Sequence, residues 1–412
     1  MTVSFALPDD TQKLLAEIKE WSLHEVRPLA RTADRLQTKY FEEGRRVLQS
    51  CPIDVSPLSV PEFGLIDRAG KVYQASDSDA DNHVLGVLAM EAMCYGDGWA
   101  WGALKRNANL EKILSVIGTP AQVEKFTADP DASSSFAFSE DHCGSDISAI
   151  RTTAVRDGDE WVVNGSKRFS SQGAEASMML IFLSIDTAQG MNGLRGMMIP
   201  QGTPGVEIVR ETEDLKLGMR FLRQSAIRFH DVRVPLDHML GDPDEPGGFV
   251  EGLNVLNRTR PFCQAWSVGT LRGATDFVLD HVRREDRYAP RRRAQAEADC
   301  AEIHHALDDL MRLLVSAAWL ADRDLPHRTE AAMAKSHGPA IVEASYRRLL
   351  QIMGSEASSE KHLLEKWYRD AVTFDLIEGT NQILKLTVGR GIFKAAARAT
   401  GPAVAAALRP VV

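Results

Sequence analysis

Two segments of this chain collect the residue types that chemistry needs. The first runs Phe136-Ala137-Phe138-Ser139-Glu140-Asp141-His142-Cys143-Gly144-Ser145-Asp146 and is followed by Asn164-Gly165-Ser166-Lys167-Arg168-Phe169-Ser170-Ser171. Aromatics alternate with small hydroxyls and glycine. A planar ligand needs apolar or aromatic walls and a few hydrogen-bond donors for its polar edge, and this composition supplies both. A loop in which Ser145 and Asp146 cap turns has the same composition, so both readings stand. The second segment runs from Tyr368-Arg369-Asp370 to Ile377-Glu378-Gly379-Thr380-Asn381-Gln382. Here a carboxylate lies between the apolar run from Phe374 to Ile377 and a Gly-Thr turn that opens another helix. A carboxylate on an apolar wall loses solvation, its proton affinity rises, and it can act as a general base toward a weakly acidic C–H. The other reading of Glu378 is an ordinary turn glutamate near a helix start.

Other chemistries are poorly represented. No GxGxxG follows a strand and no GxxxxGK[ST] is present, which argues against a dinucleotide-binding Rossmann domain or a phosphate-cradling loop, and neither GxSxG nor HExxH occurs. Cys51, Cys94, Cys143, Cys263 and Cys300 lie far apart with no CxxC, so neither a structural zinc nor a disulfide framework is expected, and no metal is assigned. Acidic residues outnumber basic ones, 57 against 48, and the basic residues form no tail, so nucleic acid and anionic membrane are not expected as main partners. No run of about 18 uncharged apolar residues is present to span a bilayer. The N-terminus shows neither a signal peptide's basic-then-apolar pattern nor an Arg-rich transit peptide, so the cytoplasm is the expected compartment.

The elements that must position these segments follow from periodicity. The 412 residues suggest two to three domains or one large composite, at roughly 150 residues per domain. Apolar residues recur at helical spacing from Asp9 to about Gln49, with Pro28 a local break, and again from about Asp81 to Ile117, where Gly118-Thr119-Pro120 stops the pattern. Residues 1–132 therefore read as an α-helical domain. Short β-branched or alternating runs follow, WVVNG, MMLIFLSI, RGMMIP, VEIVRE and SAIRFHDVRVP, and residues 133–240 read as a β domain. Within it Asn164-Gly165 suits a tight hairpin turn, and Asp157-Gly158-Asp159 punctuates the strand before it. Helical periodicity returns in residues 241–412, with helices expected at about 249–286, 296–322, 329–353 and 381–398, broken near Pro326 and Gly354-Ser355. Long helices with short connections make a bundle whose core can host a cofactor.

The order of these segments resembles the acyl-CoA dehydrogenase flavoprotein family over nearly the whole chain. FSEDHCGSD resembles the family's TEPxAGSD, GDEWVVNGSKRFSSQG its GDxYxxNGxKxWITNG, and YRDAVTFDLIEGTNQI its RDAxxxxIYEGTSQI. The resemblance implies an α+β fold with an N-terminal helical domain, a middle β domain contacting the flavin ring and thioester, and a C-terminal four-helix bundle carrying the base and the oligomer interface. It also implies an FAD-dependent dehydrogenase of acyl-CoA or acyl-carrier-protein thioesters. Glu378 falls on the base that removes the pro-R α-proton while a hydride leaves Cβ for flavin N5. Its backbone N–H, with a ribityl hydroxyl, would hold the thioester carbonyl and stabilise the developing enolate. Phe136, Phe138, Ser139, Gly144 and Ser145 fall on the first flavin-contact strand. Phe169, Ser170 and Ser171 fall on the second, with Phe169 replacing the usual Trp. Ser145 would also touch the pantetheine arm, Asn257 to Arg260 match the helix at the thioester's nucleotide end, and Gly379 lies against the substrate beside the base.

The match departs from the family at one end of the cofactor. The family's R-x-x-F-G signature carries an Arg that reaches an FAD pyrophosphate across a subunit interface, and Glu285 stands at its place. Arg287 is the expected substitute, with Arg283, Arg284 and the Arg291-Arg292-Arg293 run nearby. Gln351, Gly354, Thr380 and Gln382 match inter-subunit cofactor contacts, but Ser355 and Glu356 stand where the family has a GGxG loop and remove the freedom that lets backbone come close. These two acids motivate an alternative, a non-catalytic or half-active partner subunit of a hetero-oligomeric acyl-CoA dehydrogenase. For the enzyme, the resemblance implies a homodimer or homotetramer that passes electrons to an electron-transferring flavoprotein or another acceptor.

Overall fold

The computed structural model describes residues 7–37, 42–55, 65–75, 82–102, 108–129, 132–209, 216–242 and 249–400. The chain forms two compact units. One comprises Met1–Leu23, Gln74–Gly98 and Asn257–Val412, the other His24–Tyr73 and Trp99–Leu256.

The first unit is helical. It contains α1 (Asp9–Trp21), α4 (Asn82–Met93), most of α8 (Phe249–Arg284), α9 (Pro290–Asp322), α10 (Arg328–Met353), α11 (Leu364–Thr373) and α12 (Asn381–Thr400). On α9 one stripe is buried: Ile303, Leu307, Leu310, Leu314, Ala317 and Ala321 follow one another at spacings of three or four residues. Gly269 of α8 lets two helices touch backbone to backbone, since a Cβ there would come 2.1 Å from the Glu91 carbonyl oxygen of α4. The expected helices at about 249–286, 296–322, 329–353 and 381–398 correspond to α8, α9, α10 and α12. Helix α11 was not foreseen. It is fixed through a buried ionic knot: Lys366 Nζ donates to both Asp97 oxygens at 2.6 Å and meets Asp370 Oδ2 at 2.9 Å, while Trp367 Nε1 donates to Asp97 Oδ2 at 2.7 Å. Burial pushes Lys366 toward its neutral form, but the two aspartates outweigh it and keep the amine protonated.

The second unit holds α2 (Ala30–Leu36), α3 (Glu42–Gln49), a small hairpin of β1 (Leu65–Ile66) and β2 (Val72–Tyr73), α5 (Trp99–Gly102), α6 (Ala108–Ile117) and α7 (Pro120–Thr127). Thr119 caps α7 in a full capping box with Gln122, so the Gly-Thr-Pro stop is also a helix start. Seven strands then form one sheet: β3 (Ser134–Ala137), β4 (Thr153–Asp157), β5 (Glu160–Ser171), β6 (Met178–Ser184), β7 (Leu194–Pro200), β8 (Val206–Val209) and β9 (Gln224–Pro235). The order is β3-β6-β4-β5-β9-β8, with β7 also on β6. The end of the VEIVRE run, Arg210 and Glu211, and the first residue of the second helical stretch, Asp81, lie outside the described residues. Strand β6 is buried on both faces. Met179, Ile181 and Leu183 enter one core with Val163, Ile199, Phe229 and Val232, while Leu180 and Phe182 enter another with Ile113, Leu114 and Met198.

One expectation about this sheet is overturned. Asn164-Gly165 is not a hairpin turn, because β5 runs straight through it to Ser171 and the β4–β5 turn is made by Asp157-Gly158-Asp159. Asn164 instead bridges strands, exchanging hydrogen bonds of 3.0 Å with the Asp231 side chain and backbone where the β5–β9 register shifts. Gly165 has φ +140, and a Cβ there would lie 2.6 Å from the Thr152 Cα. The dipeptide therefore serves a bulge and a close approach, the other use of residues that tolerate positive φ.

Candidate active site

In the β unit the two aromatic and hydroxyl segments lie side by side. Arg168 N–H donates to the Ser139 carbonyl at 2.8 Å, and Ser170 Oγ donates to the Phe136 carbonyl at 3.4 Å. Beneath them Lys167 and Glu140 form a buried strut. Lys167 Nζ lies 2.7 Å from Glu140 Oε1 and donates to the Phe138 carbonyl at 3.1 Å. The Glu140 carboxylate also accepts from Thr152 Oγ1 at 2.7 Å, Thr152 N at 3.0 Å and Arg151 N at 2.9 Å. Burial pushes Glu140 up, but Lys167 and these donors hold it below its ordinary value; burial pushes Lys167 down despite the carboxylate.

The strand above the strut is bent for display. Between Lys167 and Ser170 the register slips by one residue, and the extra residue leaves Phe169 at φ +58 and 56% exposed. A bulge that re-aims one side chain is the geometry expected beside a binding site. Phe136, Phe138 and Phe182 make a ring cluster, with Phe138 stacked on Phe182 at 4.4 Å. Ser170 is buried, Ser171 accepts from Gln224 Nε2 at 3.4 Å, and Gly144 and Ser145 are exposed. Asp146 caps the short helix Ile147–Ala149, which realises the turn-capping reading for that residue.

In the helical unit Glu378 sits on the turn between α11 and α12. Glu378 has φ +56 and Gly379 φ +93, two consecutive left-handed residues. Such a conformation costs about 1–3 kcal/mol at a non-glycine residue and persists only where neighbours enforce it. Arg260 Nε donates to the Glu378 carbonyl at 3.0 Å and Arg260 Nη1 to Asn257 Oδ1 at 2.5 Å. Thr259 Oγ1 donates to Glu378 Oε2 at 3.2 Å. Lys335 of α10 reaches the same turn, donating to the Gly379 carbonyl at 2.8 Å and Asn381 Oδ1 at 3.2 Å. The Asn257–Arg260 run therefore meets the Glu378 turn directly. Cys263, fully buried one helical turn on, has its thiol pushed up by burial and by the charge of Glu378.

The remaining expected cofactor residues also lie in the helical unit, Thr380 and Gln382 directly after the Glu378 turn and Arg287, Gln351 and Gly354 on other segments. Arg287 donates to Glu356 Oε2 at 2.6 Å, and His281 and His362 lie 3.1 and 3.8 Å from the same oxygen. Arg287 holds Glu356 below its ordinary value. Arg292 donates to the Gln351 carbonyl at 3.3 Å, Gly354 has φ +66, Gln382 is exposed on the first turn of α12, and Thr380 accepts the Leu384 N–H at 3.1 Å. Among the described residues two groups have metal-ligand character, Glu140 with His142 and Cys143, and His281 with Glu356 and His362. In each the carboxylate already carries a cation, Lys167 or Arg287.

Sequence reasoning missed Lys335, the Lys167–Glu140 strut and the bond from Thr259 to the carboxylate. The first left a signal: Lys335 interrupts a stripe of small residues, Ala331, Ala334 and Gly338, on a helix face that is otherwise buried.

Comparison with known proteins names the class. The acyl-CoA dehydrogenase middle-domain model matches residues 135–232 and the C-terminal-domain model residues 247–393. The mitochondrial short-chain specific acyl-CoA dehydrogenase of Bos taurus is 28% identical, covering 95% of this chain and 92% of that protein. Cyclohex-1-ene-1-carbonyl-CoA dehydrogenase of Syntrophus aciditrophicus is 27% identical over 93% of this chain and 90% of that protein. Among solved structures, butyryl-CoA dehydrogenase from Megasphaera elsdenii matches with a TM-score of 0.79 at 22% identity, covering 95% of this chain and 100% of that one, which shows the fold. The chain belongs to the acyl-CoA dehydrogenase family, flavin oxidoreductases that act on CH–CH bonds with FAD as cofactor. The residues present fit a flavin ring. Phe169 offers an exposed aromatic face, and Gly144 leaves open the space beside Ser139, where a Cβ would come 3.3 Å from the hydroxyl. Among the described residues no helix is long and apolar enough to cross a membrane.

Proposed function

We propose that this chain desaturates acyl-CoA thioesters at the α,β position, with Glu378 as the base. The observation that carries the reading is the Glu378 turn: a carboxylate held by Thr259, on a left-handed backbone clamped through its carbonyls by Arg260 and Lys335. A base placed this way accepts the α-proton without reorganising, which is where positioning lowers a barrier. The Glu378 N–H stands on the same clamped turn and would bind the thioester carbonyl as charge develops on it. Bound FAD supplies the hydride acceptor. Phe136, Phe138, Ser139, Gly144, Ser145, Phe169, Ser170 and Ser171 would hold its ring side. In a homodimer or homotetramer, Arg287, Gln351, Gly354, Thr380 and Gln382 would meet its far end. The pairing of Glu356 with Arg287 supports the enzyme over a half-active partner subunit, because that acid brings its own counter-charge. An electron-transferring flavoprotein is the proposed acceptor.

Glu378→Gln tests the reading. The amide cannot take a proton, so the variant is expected to keep its flavin and fold and to lose turnover of butyryl-CoA with a dye acceptor. Butyryl-CoA is the first probe because the curated relatives include short-chain enzymes. Turnover comparable to the parent would refute the assignment.

A further inference from the structure

Lys335 is a lysine with no access to solvent, and the desaturation chemistry gives it no role of its own. Its ammonium is aimed at one turn. It donates to the Gly379 carbonyl at 2.8 Å, to Asn381 Oδ1 at 3.2 Å, and lies 3.5 Å from the Asp375 carbonyl. These acceptors fall on both sides of Glu378 in the chain, before it at Asp375 and after it at Gly379 and Asn381. Asn381 in turn donates from its side chain to Asp375 Oδ1 and from its backbone to the Asp375 carbonyl at 3.2 Å, closing the turn on itself. A buried ammonium thus ties the two ends of a left-handed loop together across the residue that carries the carboxylate.

Its partners are neutral oxygens, so its counter-charge must come from groups near the turn. The titratable and charged groups facing it are Cys263 and Arg260 on α8 and Asp375 and Glu378 on the turn, with Arg328 of α10 acting on Arg260. The Cys263 thiol is pushed up by burial and stays protonated, which leaves the two carboxylates. Burial pushes the Lys335 amine below its ordinary value, and the nearby Glu378 and Asp375 carboxylates work against that push.

We propose that Lys335 is a positioning residue of the active site: its ammonium fixes the left-handed Glu378–Gly379 turn that presents the base. The proposal rests on Glu378 being the base. It has a consequence that a merely structural lysine would not have. Removing the donor loosens the turn and lowers kcat more than it raises KM, because the carboxylate and not the binding surface is displaced.

The test uses the FAD-loaded protein, butyryl-CoA and a dye acceptor, with Lys335→Met and Lys335→Gln beside the parent and Glu378→Gln. Lys335→Met is expected to lower kcat by about ten- to a hundredfold, the loss that follows roughly 1 Å of misplacement, with KM within about threefold. Lys335→Gln keeps a donor for the carbonyls, so it is expected to retain more kcat. A kcat near the parent's in Lys335→Met overturns the proposal. Loss of flavin and fold in both variants also overturns it, by assigning Lys335 to the scaffold alone. Turnover in Glu378→Gln would instead remove the base, and that failure is separate from any result at Lys335.

Discussion

Replacing Lys167 with methionine isolates the strut beneath the segments proposed to contact the flavin. The side chain is fully buried, and so nearly is its partner Glu140, at 0% and 3% exposure. Breaking a buried ion pair from one side costs about 3–5 kcal/mol, since the other charge is left without a counterion. Glu140 keeps three other donors, Thr152 Oγ1, Thr152 N and Arg151 N, so the low end applies, about 3 kcal/mol. At roughly 2–4 °C per kcal/mol for units of 150–250 residues, this lowers Tm by about 6–12 °C. The pair itself is worth less than its rupture costs, because burial works against the ammonium while the ammonium works for the carboxylate. The double variant Glu140→Gln/Lys167→Met should therefore recover more than half of the loss. The pH dependence has a definite sign. Glu140 titrates below its ordinary value of 4.5 when folded, so it contributes stability above about that pH and loses it as pH falls through the folded value. In Lys167→Met burial is opposed only by the Thr152 and Arg151 donors, so the carboxylate takes a proton more readily, and the deficit is largest near neutral pH and narrows in acid. Scanning calorimetry of Lys167→Met, Glu140→Gln and the double variant from pH 4 to pH 7 reads all of this. A single-variant Tm within 2 °C of the parent at pH 7, or a double variant as unstable as the sum of its parts, would refute the reasoning.

Two further outcomes follow from other features. Phe169→Gly removes a bulky residue from φ +58 and should stabilise the flavin-free protein by about 1 kcal/mol while weakening FAD binding, measured by melting and by flavin titration. If FAD affinity is unchanged, the exposed ring is not part of the cofactor cradle. Glu356→Gln releases Arg287 from its 2.6 Å pair, and FAD binding should tighten with a steeper salt dependence. Weaker binding would mean that the pair is needed intact to shape the loop.

What could be read in advance follows the range of the forces involved. The long helices α8, α9, α10 and α12 were legible because each repeats its apolar residues over several turns. Helix α11 was not, since its ten residues carry Glu365, Lys366, Arg369 and Asp370, and the burial of Lys366 and Asp370 depends on pairing with distant Asp97. Asn164-Gly165 misled for a related reason: the dipeptide signals positive φ but not whether a turn or a bulge uses it. Glu378 was identified through its motif, yet its left-handed backbone and its clamps at Thr259, Arg260 and Lys335 depend on tertiary contacts that no local pattern encodes.

Those clamps also say when the base comes into being. Arg260 and Thr259 lie 118 and 119 positions upstream of Glu378, and Lys335 lies 44 positions upstream of Gly379. Contacts of such sequence separation carry a loop-closure cost that only the docked helices repay, so they form late in folding. A chain caught with α11 and α12 helical but α8 and α10 undocked holds the glutamate on an ordinary turn. A positioned Glu378 is then the last feature the helical unit acquires, and a partly folded molecule lacks the base proposed above.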